Sequence, residues 1–164
     1  MDDIVEVDII GLIMDPVSKT PVMILKPQDN DRVVPIWIGV FEANAITMEL
    51  ESMESPRPMT HDLIDRLLDD CDITVERIII NDLVKNTFFA QLHLCKDGEC
   101  KVIDCRPSDA VAIALKKKAP MFVSRLVIES SQMAEMFSAF MACEEGIDSW
   151  FSSLTRDDFG KYEH

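Results

Sequence analysis

Three β-branched runs precede the first helix-like segment and three more follow the second, and this block order constrains the chain more than any other feature. "IVEVDIIGLIMD" (residues 4–15) alternates imperfectly and reads as a long first strand ended by Asp15-Pro16. "PVMILK" (21–26) and "RVVPIWIG" (32–39) read as the next two strands, each bounded by turn residues. Pro35 has no N–H to give a ladder, so the third strand belongs at an edge or a bulge. From Val40 to about Met53 the period becomes helical, with Phe41, Ala45, Met48 and Ile46, Leu50, Met53 at matching spacings. "ESPRPM" breaks the chain, and a second helix follows in which Leu63, Ile64, Leu67 and Leu68 form one stripe. "TVERIIIND", "NTFFAQLHLC" and "CKVIDC" read as three strands, the last two a hairpin over Asp97-Gly98.

Beyond them, "DAVAIALKKK" is a short helix, apolar nearly all round and so buried, with lysines in its last turn facing the helix dipole. "MFVSRLVI" is a further strand or extended segment, and helices are expected at about residues 131–143 and 147–155. This order indicates one α+β domain with a mixed or mainly antiparallel sheet. Residues 1–130 form its body, and 131–164 a helical extension packed on it. The methionine-rich segment from Met121 to Cys143 reads as core or subunit interface, which makes a homo-oligomer the expectation.

Charge narrows the function classes. The net charge is −14, but residues 57–126 hold 11 acids and 11 bases, while the flanks carry the excess of acid. A broad nucleic-acid surface needs an excess of Lys and Arg, so at most a small phosphate-binding cleft in the middle of the chain is compatible. No apolar run approaches the ~20 residues of a membrane span. The N-terminus, "MDDIVEVD", is acidic where an export signal is basic, so a cytoplasmic location is expected. Five cysteines, an odd number without a CxxC pair, fit neither a disulfide framework nor a four-ligand zinc site. Cys95 and Cys100 flank the hairpin turn and face one another across it, but reduced thiols are the cytosolic expectation.

Two phrases echo each other: "RPMTHD" from Arg57 and "RPSD" from Arg106. Proline pushes the preceding residue into extended conformation, so each arginine stands extended before a helix that Thr60 or Ser108 would cap. Asp62 and Asp109 then fall in first turns, where acids answer the dipole. Taken alone, each phrase is a helix start. Around them, however, stand His61, Asp104 and the two arginines, more than capping requires. If the phrases meet, Asp62, Asp104 and Asp109 are candidates to hold one Mg²⁺ or Mn²⁺. His61 is then the candidate general base or acid, and Arg57 and Arg106 the clamp on a phosphodiester. A salt-bridged structural cluster of the same residues is the alternative. In "PIWIGVFEA", Trp37 is either a stacking platform or core, and Glu42 either a dipole partner or a fourth carboxylate. His93 reads as packed or surface, and His164 is the last residue.

The stretches "VVPIWIGVFEANAI", "PRPMTHDL", "NTFFAQL" and "IDCRPSDAVAIAL" together resemble the bifunctional nuclease domain family, in its order and over about residues 5–130. "WFSSLTRDDFG" looks like the tail that many members carry. The chain departs in "VKNTF" and "LESMESPRP", each lacking a glycine of the family's pattern. The resemblance implies cleavage of both DNA and RNA, with Trp37, Glu42, Arg57, His61, Asp62, Asp104, Arg106, Ser108 and Asp109 at the signature positions. A non-catalytic regulatory or scaffolding domain that binds a small anionic ligand or a protein partner is the competing reading.

Overall fold

The computed structural model describes residues 3–15 and 18–130. Seven strands form one sheet: β1 (Ile4–Met14), β2 (Pro21–Pro27), β3 (Val34–Trp37), β4 (Thr74–Val84), β5 (Thr87–Lys96), β6 (Glu99–Cys105) and β7 (Met121–Ser124). Four helices complete the described chain: α1 (Val40–Leu50), α2 (Thr60–Asp70), α3 (Pro107–Lys117) and α4 (Arg125–Ser130). The strand order is β3-β2-β1-β7-β4-β5-β6. Only the β4–β7 pairing is parallel, so the sheet is mixed and mainly antiparallel, as the block order implies.

The turn chemistry accounts for the two tight hairpins, β4–β5 and β5–β6. Lys85 and Asn86 have φ of 49° and 62°, and Asp97 and Gly98 have 51° and 83°. Two consecutive positive φ values make the turn whose twist matches the flanking strands. Asn86 tolerates this conformation, so the first turn dispenses with the glycine of the family's pattern. Pro35 sits in β3, an edge strand, and there its missing N–H costs no ladder bond. Cys95 and Cys100 pair in register one step behind the second turn and are bonded as a disulfide, against the expectation of reduced thiols.

The helices gather on one face. α3 packs on α1 and α2 and on β4 and β5, and its stretch Ala110–Ala114 is buried. Its Pro107 opens the helix with a φ already suited to it. Two capping expectations fail here. Met59 and Arg106 occupy the cap positions, while Thr60 lies inside the first turn of α2 and Ser108 inside that of α3, where it is buried. The reason is that proline sets the approach: at Arg106 the backbone is extended, with φ −75° and ψ 145°, and the helix begins at the proline itself. In α2 the Met59 N–H is satisfied from within, donating to Asp62 Oδ2 at 2.6 Å.

Other boundaries shift as well. α1 ends at Leu50, three residues before the apolar period runs out. "MFVSRLVI" divides after Ser124 into β7 and α4. Within the stripe of α2 only Leu68 is buried and Ile64 partly so, whereas Leu63 and Leu67 are exposed. The helices expected at 131–143 and 147–155, the extension they define and His164 lie outside the described residues.

Candidate functional site

The two arginine-proline phrases meet through one carboxylate. Arg106, at the start of α3, donates from Nε to Asp109 Oδ2 at 2.6 Å and from Nη2 to Asp109 Oδ1 at 3.0 Å. His61 Nε2, on α2, lies 3.0 Å from the same Oδ1. Arg106 Nη1 also reaches Glu42 Oε1, in the first turn of α1, at 2.9 Å. The ends of three helices thus converge on a chain that runs Glu42, Arg106, Asp109, His61. Burial alone would raise the Asp109 pKa, but the hydrogen bonds from Arg106 and His61 outweigh it and hold the carboxyl below the usual range. Arg106 is pushed further up by Asp109. An ionised Asp109 makes His61 Nε2 the donor in their bond, which leaves Nδ1 with its lone pair.

Glycine helps place the chain's first member. A Cβ at Gly39 would meet the Glu42 carboxylate, so Glu42 folds back over the helix start into space that the glycine leaves open.

A second cluster braces the first. Lys116, from the last turn of α3, is held by both Glu49 of α1 and Asp62 of α2. Lys117 reaches Asp65 at 2.8 Å and Asp69 at 2.6 Å, both on α2. The Lys116 bond, with help from the Met59 N–H, holds the Asp62 carboxyl below its ordinary range in spite of partial burial. Glu49 and Lys116 are members that sequence reasoning passed over. The available signal was the seven-residue spacing of Asp109 and Lys116, which puts both on one face of α3 two turns apart.

Two clefts flank the chain. The first, about 830 Å³, is lined by Trp37, Gly39, Phe88, Arg106 and Ser108 among others. The second, about 480 Å³, is lined by Arg57, His61, Asp62, Arg66 and Lys116 among others. Asp109 lies between them, holding Arg106 on the wall of one and His61 on the wall of the other. The two arginines expected to share one phosphodiester therefore border different clefts. Arg106 is committed to two carboxylates, whereas Arg57 is exposed and forms no ion pair among the described residues. Trp37 is half-buried against Ile13, Val22, Ile24 and Val33, and its indole N–H donates to Asp15 Oδ2 at 3.0 Å. That packing makes it core on one side and cleft wall on the other.

The proposed three-carboxylate metal set is not assembled. Asp62 turns to Lys116, Asp109 to Arg106 and His61, and Asp104 stays exposed on β6, its side chain without a hydrogen bond or ion pair among the described residues. Among those residues, three ligating atoms of His, Cys, Asp or Glu come within 4.8 Å of one another only at Glu76, Cys95 and Cys100. Two of the three aspartates are drawn to fixed cations, and the third is exposed near the end of β6. The donor set therefore does not fit a shared Mg²⁺ or Mn²⁺.

A family model described as the bifunctional nuclease domain matches residues 23–136. An uncharacterized protein of Mycobacterium tuberculosis is 41% identical over 162 residues, covering 94% of this chain and 97% of its own. Bifunctional nuclease 2 of Oryza sativa subsp. japonica is 26% identical over 144 residues, 84% of this chain and 44% of the plant protein. Bifunctional nuclease 1 of Arabidopsis thaliana is 28% identical over 117 residues, covering 69% and 36% respectively.

Proposed function

This chain belongs to the bifunctional nuclease domain family, and from that premise we propose that it hydrolyses phosphodiester bonds in single-stranded DNA and RNA with little sequence preference. The observation that carries the reading is the His61–Asp109 pair at 3.0 Å beside Arg57, which has no ion pair among the described residues. A histidine oriented by an ionised carboxylate is equipped to take a proton from water and return it to a leaving alkoxide. Arg57, exposed on the wall of the same cleft, anchors the phosphate and offsets charge as it builds on the phosphoryl oxygens. Arg106 fixes Asp109 in orientation, and Glu42 fixes Arg106. Arg57 and Arg66 border the cleft without an ion pair among the described residues, and with no longer basic track there, contact with the strand is local and base-independent. That agrees with a chain of net charge −14, and a bound nucleic acid occupies a few nucleotides.

No step is assigned to a metal, since the aspartates expected to hold one stand apart. Divalent cations are instead an arm of the test. A cytoplasmic location and a homo-oligomer remain part of the proposal. Among the described residues no helix is long and apolar enough to cross a membrane. The deciding assay follows cleavage of fluorescent single-stranded DNA and RNA with EDTA, Mg²⁺ or Mn²⁺, using wild type, His61→Ala and Asp109→Asn. Loss of cleavage in both variants, with the fold retained by circular dichroism, is the expected result. Equal cleavage by all three proteins would mean a contaminant and overturn the proposal.

One observation favours the regulatory reading as a second: Arg106 is already neutralised by Glu42 and Asp109. If no preparation cleaves nucleic acid, but inorganic phosphate or a mononucleotide raises Tm in wild type and not in Arg57→Ala, that reading replaces the nuclease.

A further inference from the structure

The end of the β5–β6 hairpin holds a second cluster, chemically unlike the first. Its turn has two residues, so Lys96 and Glu99 close it, and Cys95 opposite Cys100 is the next pair. In antiparallel ladders, close and wide pairs alternate, and side chains approach most nearly where the Cα atoms are closest. At Cys95 and Cys100 the Cα atoms are 4.1 Å apart, so the sulfurs share one small volume in either redox state.

A bulge in β4 brings the third member. Val75 pairs with Leu94 and Arg77 with His93, which leaves Glu76 as the extra residue. Such an insertion re-aims a side chain relative to strict alternation. Val75 is buried on the helix side, and Glu76 and Arg77 both follow on the face that carries Cys95. Glu76 Oε2 consequently stands 3.8 Å from Cys95 Sγ. A disulfide sulfur carries no proton, so in the oxidised form this approach is contact only. In the reduced form the thiol donates to the carboxylate, or it gives up its proton and the thiolate and carboxylate bind a common cation. Glu76 makes no ion pair among the described residues.

We propose that Cys95, Cys100 and Glu76 form a redox-gated site for a thiophilic divalent cation such as Zn²⁺, open when the cysteines are reduced and closed by their disulfide. Two thiolates and a carboxylate suit a tetrahedral Zn²⁺ with a fourth position left to water. Thiolates bound at about 2.3 Å lie roughly 3.8 Å from each other on such an ion, a modest spreading from the bonded pair. Opening requires a two-electron reductant, here a dithiol. The Cys95–Cys100 bond breaks, the reductant's two thiols become its disulfide, and two electrons and two protons pass to the cysteine sulfurs. Zn²⁺ then displaces those two protons. Cys100 is exposed, so the exchange has access. The site is independent of the proposed nuclease chemistry, since six strand rises separate Cys100 from Arg106, about 20 Å along β6.

The full chain, reduced with a phosphine and desalted without oxygen, is titrated with Zn²⁺ against a chromogenic chelator and with Co²⁺ for its thiolate charge-transfer band. Wild type is expected to take one ion per chain, with affinity at least about tenfold above Glu76→Gln and above the Cys95→Ser, Cys100→Ser double variant. The band is expected only with both cysteines present. Disulfide formation by diamide should release the ion. Equal affinity in wild type and the double variant overturns the site, as does a cobalt band that persists without Cys95 and Cys100. Retention of the ion after complete oxidation of this pair overturns the gating. All substitutions lie at a surface hairpin, and circular dichroism checks that the sheet is intact.

Discussion

His61 Nε2 stands 3.0 Å from Asp109 Oδ1, a contact that joins α2 to α3 across 48 residues of sequence. Its geometry is over-determined from one side. Arg106 grips both oxygens of the carboxylate, so Asp109 cannot rotate without breaking a bidentate pair. An Asn at position 109 would keep the shape but present an amide to either Arg106 or His61, and it would lose the charge that stabilises an imidazolium. Asp109→Asn is expected to lower turnover on single-stranded substrates by roughly 10²–10⁴-fold with KM little changed. Asp104→Ala, on the exposed strand, should stay near wild type. Steady-state kinetics of the two variants check this. A greater loss in Asp104→Ala than in Asp109→Asn would move the site to β6.

Arg57 gives a prediction about salt. It stands on the wall of the His61 cleft without an ion pair among the described residues, as Arg66 does, and each phosphate neutralised on a single strand contributes about 0.7 to the slope of log affinity against log salt. Arg57→Ala should weaken binding of a short oligonucleotide and reduce that slope by about 0.7, whatever the sequence of the oligonucleotide. Arg106→Met should leave the slope nearly unchanged, because its charge is already answered by Glu42 and Asp109. Fluorescence anisotropy across a salt series separates the two. A larger change of slope in Arg106→Met would reverse their roles.

Legibility in the sequence followed the range of the physics involved. Local rules were enough for the hairpin over Asp97-Gly98, the edge position of Pro35 and the extended Arg106, since each depends on the backbone preferences of one or two residues. The cap positions were misread because Thr60 and Ser108 are good caps in isolation, whereas Pro107 starts α3 one residue before Ser108 and the Met59 N–H bond to Asp62 starts α2 at Thr60. Partner choice was not legible. Nothing in "RPMTHD" says that Asp62 will take Lys116 while His61 takes Asp109, because that depends on how α2 lies against α3. The grouping of Asp62, Asp104 and Asp109 failed for the same reason: Asp62 takes Lys116, Asp109 takes Arg106 and His61, and the Asp104 side chain is exposed without an ion pair among the described residues. Membership of the site, as opposed to its pairing, was largely visible, since His61, Asp109, Arg106, Glu42 and Arg57 all stood out by residue type.

The two unbonded cysteines among the described residues differ in environment, and their reactivities should differ with it. Cys71 is exposed at the end of α2. Cys105, partly buried where β6 meets α3, has its thiol pushed up to about 11, first by burial and then by the nearby charges of Asp109 and Asp104. The thiolate is the nucleophile, so Cys105 carries very little of it at neutral pH. Brief treatment with iodoacetamide at pH 8 should label Cys71 well before Cys105. Asp109→Asn should speed Cys105 only slightly, because burial is the larger cause. Peptide mass spectrometry over time reads both rates, and equal labelling would mean that the α3 start opens readily.

Lys116 ties the three helices that present the site, and its loss should be felt as stability before it is felt as chemistry. Burial alone would lower its pKa, but Asp62 and Glu49 raise it overall. A raised lysine contributes stability that is complete below its ordinary value of 10.5 and fades as pH climbs through the higher folded value. Asp62 works from the other side. Its depressed carboxyl contributes fully above its ordinary 3.8 and loses that contribution as pH falls through the lower folded value. The stability difference between wild type and Lys116→Met should therefore be flat through the neutral range and shrink at both extremes. Removing the ammonium leaves two partly buried carboxylates facing each other, a loss of about 2 kcal/mol at neutral pH, or about 6 °C in Tm for a chain of this size. Adding Glu49→Gln to Lys116→Met should recover part of it, since one of the opposed charges is gone. Thermal unfolding from pH 3 to pH 11 makes the comparison. A difference that does not shrink at either extreme would mean that Lys116 acts through the packing of its methylenes and not through its charge.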